Sequence, residues 1–264
     1  MAAADLVLVE RPVEGVGLVR FNRPEARNAL SVGLREAAGD ALRTLGDDGS
    51  IGAVVLTGNG AAFSGGVDLK ELGAPGGGPK PSAPRADDLV GAIVACPVPV
   101  IAAINGVAVT GGLEVAVACD VIIASTAARF ADTHARLGIL PGWGITQRLP
   151  RLVGMNRAKQ LSFTGNFLDA ATAERWGLVN YVVEPDDLLA SAVGLAAEMA
   201  SCDRRAVRNL KRAYDEGALV TMAEGLKAER VAARNHMREV RPEDIAGRRE
   251  AVQARGRSQA AKGS

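Results

Sequence analysis

Glu114 stands in the run Leu113-Glu114-Val115-Ala116-Val117, where a carboxylate is costly to bury. Such a group must be ion-paired, protonated or put to use. It follows Gly111 by three residues, about one helical turn, so both face the same side of a helix. Gly111 belongs to the stretch Ile104-Asn-Gly-Val-Ala-Val-Thr-Gly-Gly-Leu-Glu114. A second stretch, Gly58-Asn-Gly-Ala-Ala-Phe-Ser-Gly-Gly-Val-Asp-Leu-Lys70, has the same layout. Each reads as a strand entering a glycine-rich turn that opens a helix. Such turns leave backbone N–H groups pointing outward, at a helix end that favours negative charge. The chemistry they offer is the holding of an anion beside a carboxylate.

Three readings compete for the first stretch. A dinucleotide fingerprint needs a glycine at the sixth position from Gly58, where Phe63 stands. A nucleophile elbow around Ser64 needs glycine where Ala62 stands, and no convincing carboxylate–histidine pair accompanies it. A tight turn between packed elements is the third, and glycine serves that wherever the torsions demand it.

The elements that must position these groups follow from pattern. Leu6–Glu10 and Val16–Phe21 read as paired strands joined at Gly15, and a helix runs from an N-cap at Ser31 to Leu45. Ala53–Thr57, Val98–Ile104 and Val121–Ala124 read as buried strands; Asp88–Ala95 and Gly111–Ala118 read as helices. Beyond Arg157 only Leu178–Val183 resembles a strand. Asp187–Ala200, Asp203–Tyr214, Thr221–Val240 and Pro242–Ala254 read as helices with basic outer faces. This is an α/β core over residues 1–200 followed by a helical region over 201–264. Gly73–Asp88 holds four glycines and four prolines and reads as a long mobile loop.

The chain has 264 residues, 48% of them hydrophobic, which excludes a mainly disordered protein. Its 31 basic and 30 acidic residues exclude a globally basic nucleic-acid binder. Residues 203–264 carry 15 Lys/Arg against 9 Asp/Glu, a local +6. Aromatic platforms are missing from that tail, so no nucleic-acid partner is expected. Val98–Ser125 is the most apolar stretch, but Asn105, Glu114 and Asp120 interrupt it, so no membrane span is expected. Cys96, Cys119 and Cys202 lack metal or redox spacing and are expected to be buried thiols of a cytoplasmic protein. The first five residues lack the basic start and apolar run of a signal peptide.

The two glycine stretches, taken in order with other segments, resemble the crotonase (enoyl-CoA hydratase/isomerase) superfamily. The others are Asn22-Arg-Pro-Glu-Ala-Arg-Asn-Ala-Leu30, Phe130 to Gly138, Pro141-Gly-Trp-Gly-Ile-Thr-Gln-Arg-Leu149 and Ala173-Glu-Arg-Trp-Gly-Leu-Val179. The resemblance spans nearly the whole chain. It implies a core of repeated ββα units and C-terminal helices that assemble a homotrimer or a dimer of trimers. It also implies an acyl-CoA thioester as substrate, with the N–H groups of Val67 and Gly111 holding the thioester oxygen as it becomes an enolate. Glu114 takes the place of the family's first catalytic glutamate. No separate cofactor and no metal are implied, since CoA arrives with the substrate. Glu25, Ala26 and Arg27, with Gly65, Val67, Asp68, Leu69 and Lys70, fall on the segments that contact CoA. Arg27 and Lys70 are cations suited to phosphate, and Asp68 is expected to cap or ion-pair locally. Trp143 either walls the acyl pocket or is plain core.

One departure stands out. Hydratases of the family carry a second glutamate four residues after the phenylalanine matching Phe130, and here that residue is His134. The isomerases commonly keep their acting carboxylate at the same place, where Asp132 is the nearest substitute. Histidine moves protons near neutral pH. The expected reaction is therefore hydration of a 2-enoyl-CoA, with Glu114 activating water and His134 protonating the α-carbon or sharing the water. Decarboxylation, hydrolysis or isomerisation in the same site remain open, as does an acyl-CoA binder that has lost efficient acid–base chemistry.

Overall fold

In a computed structural model of the protein the described residues are 6–74 and 89–262, so most of the expected Gly73–Asp88 loop lies outside them. The chain divides into two compact units, residues 1–207 and 208–264.

The first unit begins with β1 (Val7–Glu10), β2 (Val16–Phe21) and α1 (Val32–Asp47). Ser31 caps α1 through its side chain, which accepts from the Leu34 N–H. Three ββα repeats follow. They are β3 (Ala53–Gly58), β4 (Ala62–Ser64) and α2 (Leu69–Leu72), then, after α3 (Leu89–Ala95), β5 (Val100–Ile104), β6 (Val107–Val109) and α4 (Gly111–Ala118), and finally β7 (Val121–Ser125), β8 (Arg129–Ala131) and α5 (His134–Leu137). Helices α6 (Ile145–Val153) and α7 (Met155–Thr164), strand β9 (Leu168–Asp169), α8 (Ala170–Trp176), β10 (Tyr181–Val183) and α9 (Leu188–Ala200) complete it.

The first strand of each repeat enters a six-stranded sheet ordered β1-β2-β3-β5-β7-β10, parallel except for the β1–β2 pair. The second strand of each enters a four-stranded sheet ordered β4-β6-β8-β9, whose first three strands are parallel. The central strands β2, β3, β5 and β7 of the large sheet are buried on both faces, as parallel sheets usually are. Val54, Leu56, Val100, Ala102 and Ile104 point into one core cluster. Their neighbours Ala53, Val55, Ile101 and Ala103 point into the other, which α9 covers with Leu188, Ala192 and Ala196.

The expected α/β core of ββα repeats is what the structure shows. Several local expectations are corrected. Strands β4, β6, β8 and β9 are not among the expected strands, because two or three residues are too few for a period to declare itself. Helices α6, α7 and α8 were not expected. Strand Leu178–Val183 shortens to Tyr181–Val183, where its pairing with β7 begins. The expected buried state holds for Cys96, but Cys119 is half-buried and Cys202 is exposed in the turn after α9.

Helix α10 (Arg204–Gly217) crosses into the second unit, which continues with α11 (Met222–Met237) and α12 (Pro242–Lys262). Thr221 and Glu224 form a reciprocal capping box at the start of α11. Leu210, Tyr214, Met222, Val231 and Ile245 are exposed on these helices. No described helix of the chain is long and apolar enough to cross a membrane.

Candidate active site

Strands β4, β6 and β8 lie side by side, and each hands the chain to one part of a single site at its C-terminal end. After β4 come Gly65, Gly66 and Val67. After β6 come Thr110 and Gly111, and after β8 come Asp132, Thr133 and His134. Parallel α/β sheets gather ligand sites at this end because the loops there are free to differ while the strands stay fixed.

Gly66 and Gly111 make the first two segments meet. Gly66 has a φ of 93°, and a Cβ there would stand 2.7 Å from the Val109 carbonyl oxygen and 3.4 Å from the Gly111 nitrogen. A Cβ on Gly111 would stand 2.9 Å from Trp143 Cζ3 and 3.2 Å from Val67 Cγ2. Only glycine allows that approach. Among the described residues neither the Val67 nor the Gly111 N–H donates to a protein acceptor. Gly111 also opens α4, so its N–H sits at the positive end of the helix.

Thr110, just before Gly111, has a φ of 53° and a ψ of −112°, a region that costs a β-branched residue on the order of 1–3 kcal/mol. Two bonds hold it there. Its N–H donates to the Ala131 carbonyl at 2.8 Å, and its hydroxyl pairs with that of Thr133. The peptide that carries the Gly111 donor is therefore tied to the end of β8.

The acid–base groups meet next to it. Glu114 is 2% exposed and His134 5%. Glu114 Oε1 accepts from the Trp143 N–H at 2.9 Å and the Ile145 N–H at 3.5 Å, while Oε2 lies 3.4 Å from His134 Nε2. The other ring nitrogen, Nδ1, lies 2.6 Å from Asp132 Oδ1. The imidazole thus stands between two buried carboxylates. Burial opposes its charged form, but the hydrogen bonds to Asp132 and Glu114 outweigh that and raise its pKa to about 9. Burial likewise works against the Asp132 carboxylate, yet bonds from His134 and the Ser162 side chain bring its pKa below the ordinary value.

The residues expected to meet CoA also come together. The Gly65 N–H donates to the Arg27 carbonyl at 2.8 Å, and the Leu30 N–H to the Gly66 carbonyl at 2.8 Å. Arg27 and Asn28 both take left-handed torsions, with φ of 50° and 52°. Asn28 is fully buried, and its amide donates to the carbonyls of Ala62 and Asn59 at 2.7 and 3.0 Å, fastening this turn to β4. Glu25, Arg27, Leu69 and Lys70 are exposed, and Ala26 is half-buried. Asp68 caps α2 by accepting from the Lys70 N–H at 3.0 Å and pairs with Arg23 at 3.0 Å. That is the local role expected of it. Trp143 packs against the main core cluster, with the Arg35 guanidinium 5.5 Å above its ring.

Sequence reasoning overlooked Arg23, Thr110, Thr133 and Ser162, which act through contacts between distant segments. Only Thr110 left a trace, as the residue preceding a glycine pair at a helix start.

The family model described as enoyl-CoA hydratase/isomerase matches residues 11–249. A probable enoyl-CoA hydratase of Rhizobium meliloti is 43% identical over 217 residues, 81% of this chain and 83% of the relative. A crotonyl-CoA hydratase of Syntrophomonas wolfei is 38% identical over 229 residues, 82% of this chain and 84% of the relative. The crystal structure of an enoyl-CoA hydratase from Bacillus anthracis superposes with a TM-score of 0.84 at 33% identity, covering 94% of this chain and 96% of that one.

Proposed function

The chain belongs to the enoyl-CoA hydratase/isomerase family, and from that premise we propose how its own residues add water to a 2-enoyl-CoA. The activity is that of an enoyl-CoA hydratase, a carbon–oxygen lyase. The Glu114–His134 contact carries the reading: a carboxylate and an imidazole held 3.4 Å apart in a buried site beside two backbone donors.

In this scheme Glu114 takes a proton from water as the water oxygen bonds to the β-carbon. The π electrons of the double bond shift toward the carbonyl, and the thioester oxygen gathers negative charge between the N–H groups of Val67 and Gly111. Removing one such donor from other oxyanion sites costs about 3–4 kcal/mol of barrier. The α-carbon then takes the proton of His134 Nε2, giving the 3-hydroxyacyl thioester. Glu114 is left protonated and the imidazole neutral, and the proton returns from Oε2 to Nε2 across their contact. The net change is addition of one water, and no further reagent enters.

Arg27 and Lys70, exposed cations on neighbouring segments, serve the CoA phosphates. The Glu25–Arg27 turn with Gly65, Asp68 and Leu69 forms the surface for the rest of the CoA arm. Asp68 contributes by shaping the turn, its charge being spent on Arg23. Trp143 forms one wall next to Gly111. The exposed apolar residues of the second unit support assembly as a homotrimer or a dimer of trimers. Cysteines carrying thiols rather than disulfides support a cytoplasmic setting.

The test follows the enoyl absorbance of crotonyl-CoA. The wild type should consume it rapidly, Glu114→Gln should lose about 10³-fold in kcat and His134→Ala about 10²-fold. Micromolar binding without turnover of any enoyl-CoA by the wild type would reduce the protein to an acyl-CoA binder.

A further inference from the structure

Asp132 has no part in the scheme so far, yet its carboxylate is one of two buried ones in contact with His134. It is 2% exposed. Its Oδ1 accepts at both ends of one residue, from the His134 backbone N–H at 3.2 Å and from the ring Nδ1 at 2.6 Å. The Ser162 side chain on α7 bonds to the same carboxylate. We propose that Asp132 is a positioning residue, which holds the His134 ring with Nδ1–H toward itself and Nε2 toward Glu114, and so makes an imidazolium the proton donor of this hydratase. The proposal rests on the Glu114–His134 reading above.

An imidazole has two nitrogens, and which one carries the proton is set by the partner of the other. With Glu114 as its only partner, the ring could turn over or present either tautomer. A carboxylate bonded to Nδ1 removes both freedoms, leaving Nε2 as the atom that faces Glu114. Charge balance points the same way. Two buried carboxylates flanking a neutral ring leave two negative charges uncompensated, whereas a protonated ring pairs with both. Among the described residues, the loop after β8 presents Asp132 to the ring and α4 presents Glu114, while the uncharged Ser162 of α7 bonds to Asp132. Arg136, on the same helix as His134, is exposed and donates to the Thr164 carbonyl instead. The raised pKa of His134 agrees with the geometry. A proton donor in this place needs a proton at working pH, and Asp132 keeps it there.

The test reads the ring itself as well as turnover. The protein has only two histidines, His134 and His236, so their imidazole NMR signals can be assigned with His236→Gln. In the wild type His134 should titrate near 9. In Asp132→Asn, nearly identical in shape, that midpoint should fall by about one pH unit or more. The alkaline limb of the kcat profile should fall with it, kcat should drop ~10- to 100-fold, and KM should stay within about twofold. Asp132→Glu should bring the midpoint back toward the wild-type value, and it serves the same comparison if Asp132→Asn does not fold. An unmoved midpoint in Asp132→Asn, or in Asp132→Glu a ring titrating like a free histidine, overturns the proposal. Failure of the parent reading looks different: His134→Gln would then keep full hydratase activity whatever the ring titration shows.

Discussion

The central strands of the large sheet are buried on both faces and supply no side chain to the proposed reaction, whereas the small sheet, with strands of two or three residues, delivers Val67, Gly111 and His134. The same three repeats give one strand to each sheet, and β1, β2 and β10 complete the large one and β9 the small one. The first strand of a repeat does cohesive work through side chains that exclude water. The second is short, and its value lies in where it stops. Stability and chemistry are thus divided between the two strands of each ββα unit, and a substitution in one should leave the other's property largely intact.

Leu56→Ala tests that division with the largest expected effect. Leu56 is fully buried in the large sheet, paired in register with Ala102. Its truncation should cost about 3 kcal/mol of stability, or roughly 10 °C in Tm, with kcat per folded molecule unchanged. Loss of kcat at unchanged Tm would break the comparison.

Gly66→Ala sharpens it from the other side. The added methyl meets the Val109 carbonyl oxygen at 2.7 Å, and the backbone at that φ resists a side chain. Pushing β4 and β6 apart at their ends should lower kcat/KM for crotonyl-CoA about 100-fold, as loss of one oxyanion donor does. The Tm should fall less than for Leu56→Ala.

The smallest effect is on pH. His134 has a folded pKa raised to about 9 from an ordinary 6.5, so the stability it lends is complete below pH 6.5. That contribution drains away as pH rises from 6.5 through 9. The wild-type Tm should therefore decline by roughly 5–10 °C over this window, and His134→Gln should flatten that part of the curve. A wild-type Tm that is level from pH 6.5 to 9 would contradict the paired imidazolium.

The same division explains what could be read from the sequence. Strands such as Ala53–Gly58 and Val100–Ile104 announce themselves as apolar runs closed by glycine or asparagine, and the Ser31 cap marks its helix by residue type alone. The site was legible where spacing within one segment decides it, as with Gly111 and Glu114 on one helix. It was not legible where segments far apart in sequence meet. Nothing near Asp132 announces a serine thirty residues downstream on α7, and Thr110 shows its use only when Thr133 lies opposite. His134 was visible as a departure, and its consequence needed the second carboxylate.

Adjacent strands of a sheet stand about 4.8 Å apart whatever their side chains. The site hangs from three such strands in succession, with the oxygen-holding donors at the ends of β4 and β6 and the proton donor one step further at β8. Hydrogen-bond spacing therefore acts as a ruler for the reaction. It fixes the reach from thioester oxygen to the atoms two and three bonds away, and no change of packing around the acyl chain can stretch it. A lineage could exchange tail pockets freely on such a frame while the reactive head stays in step.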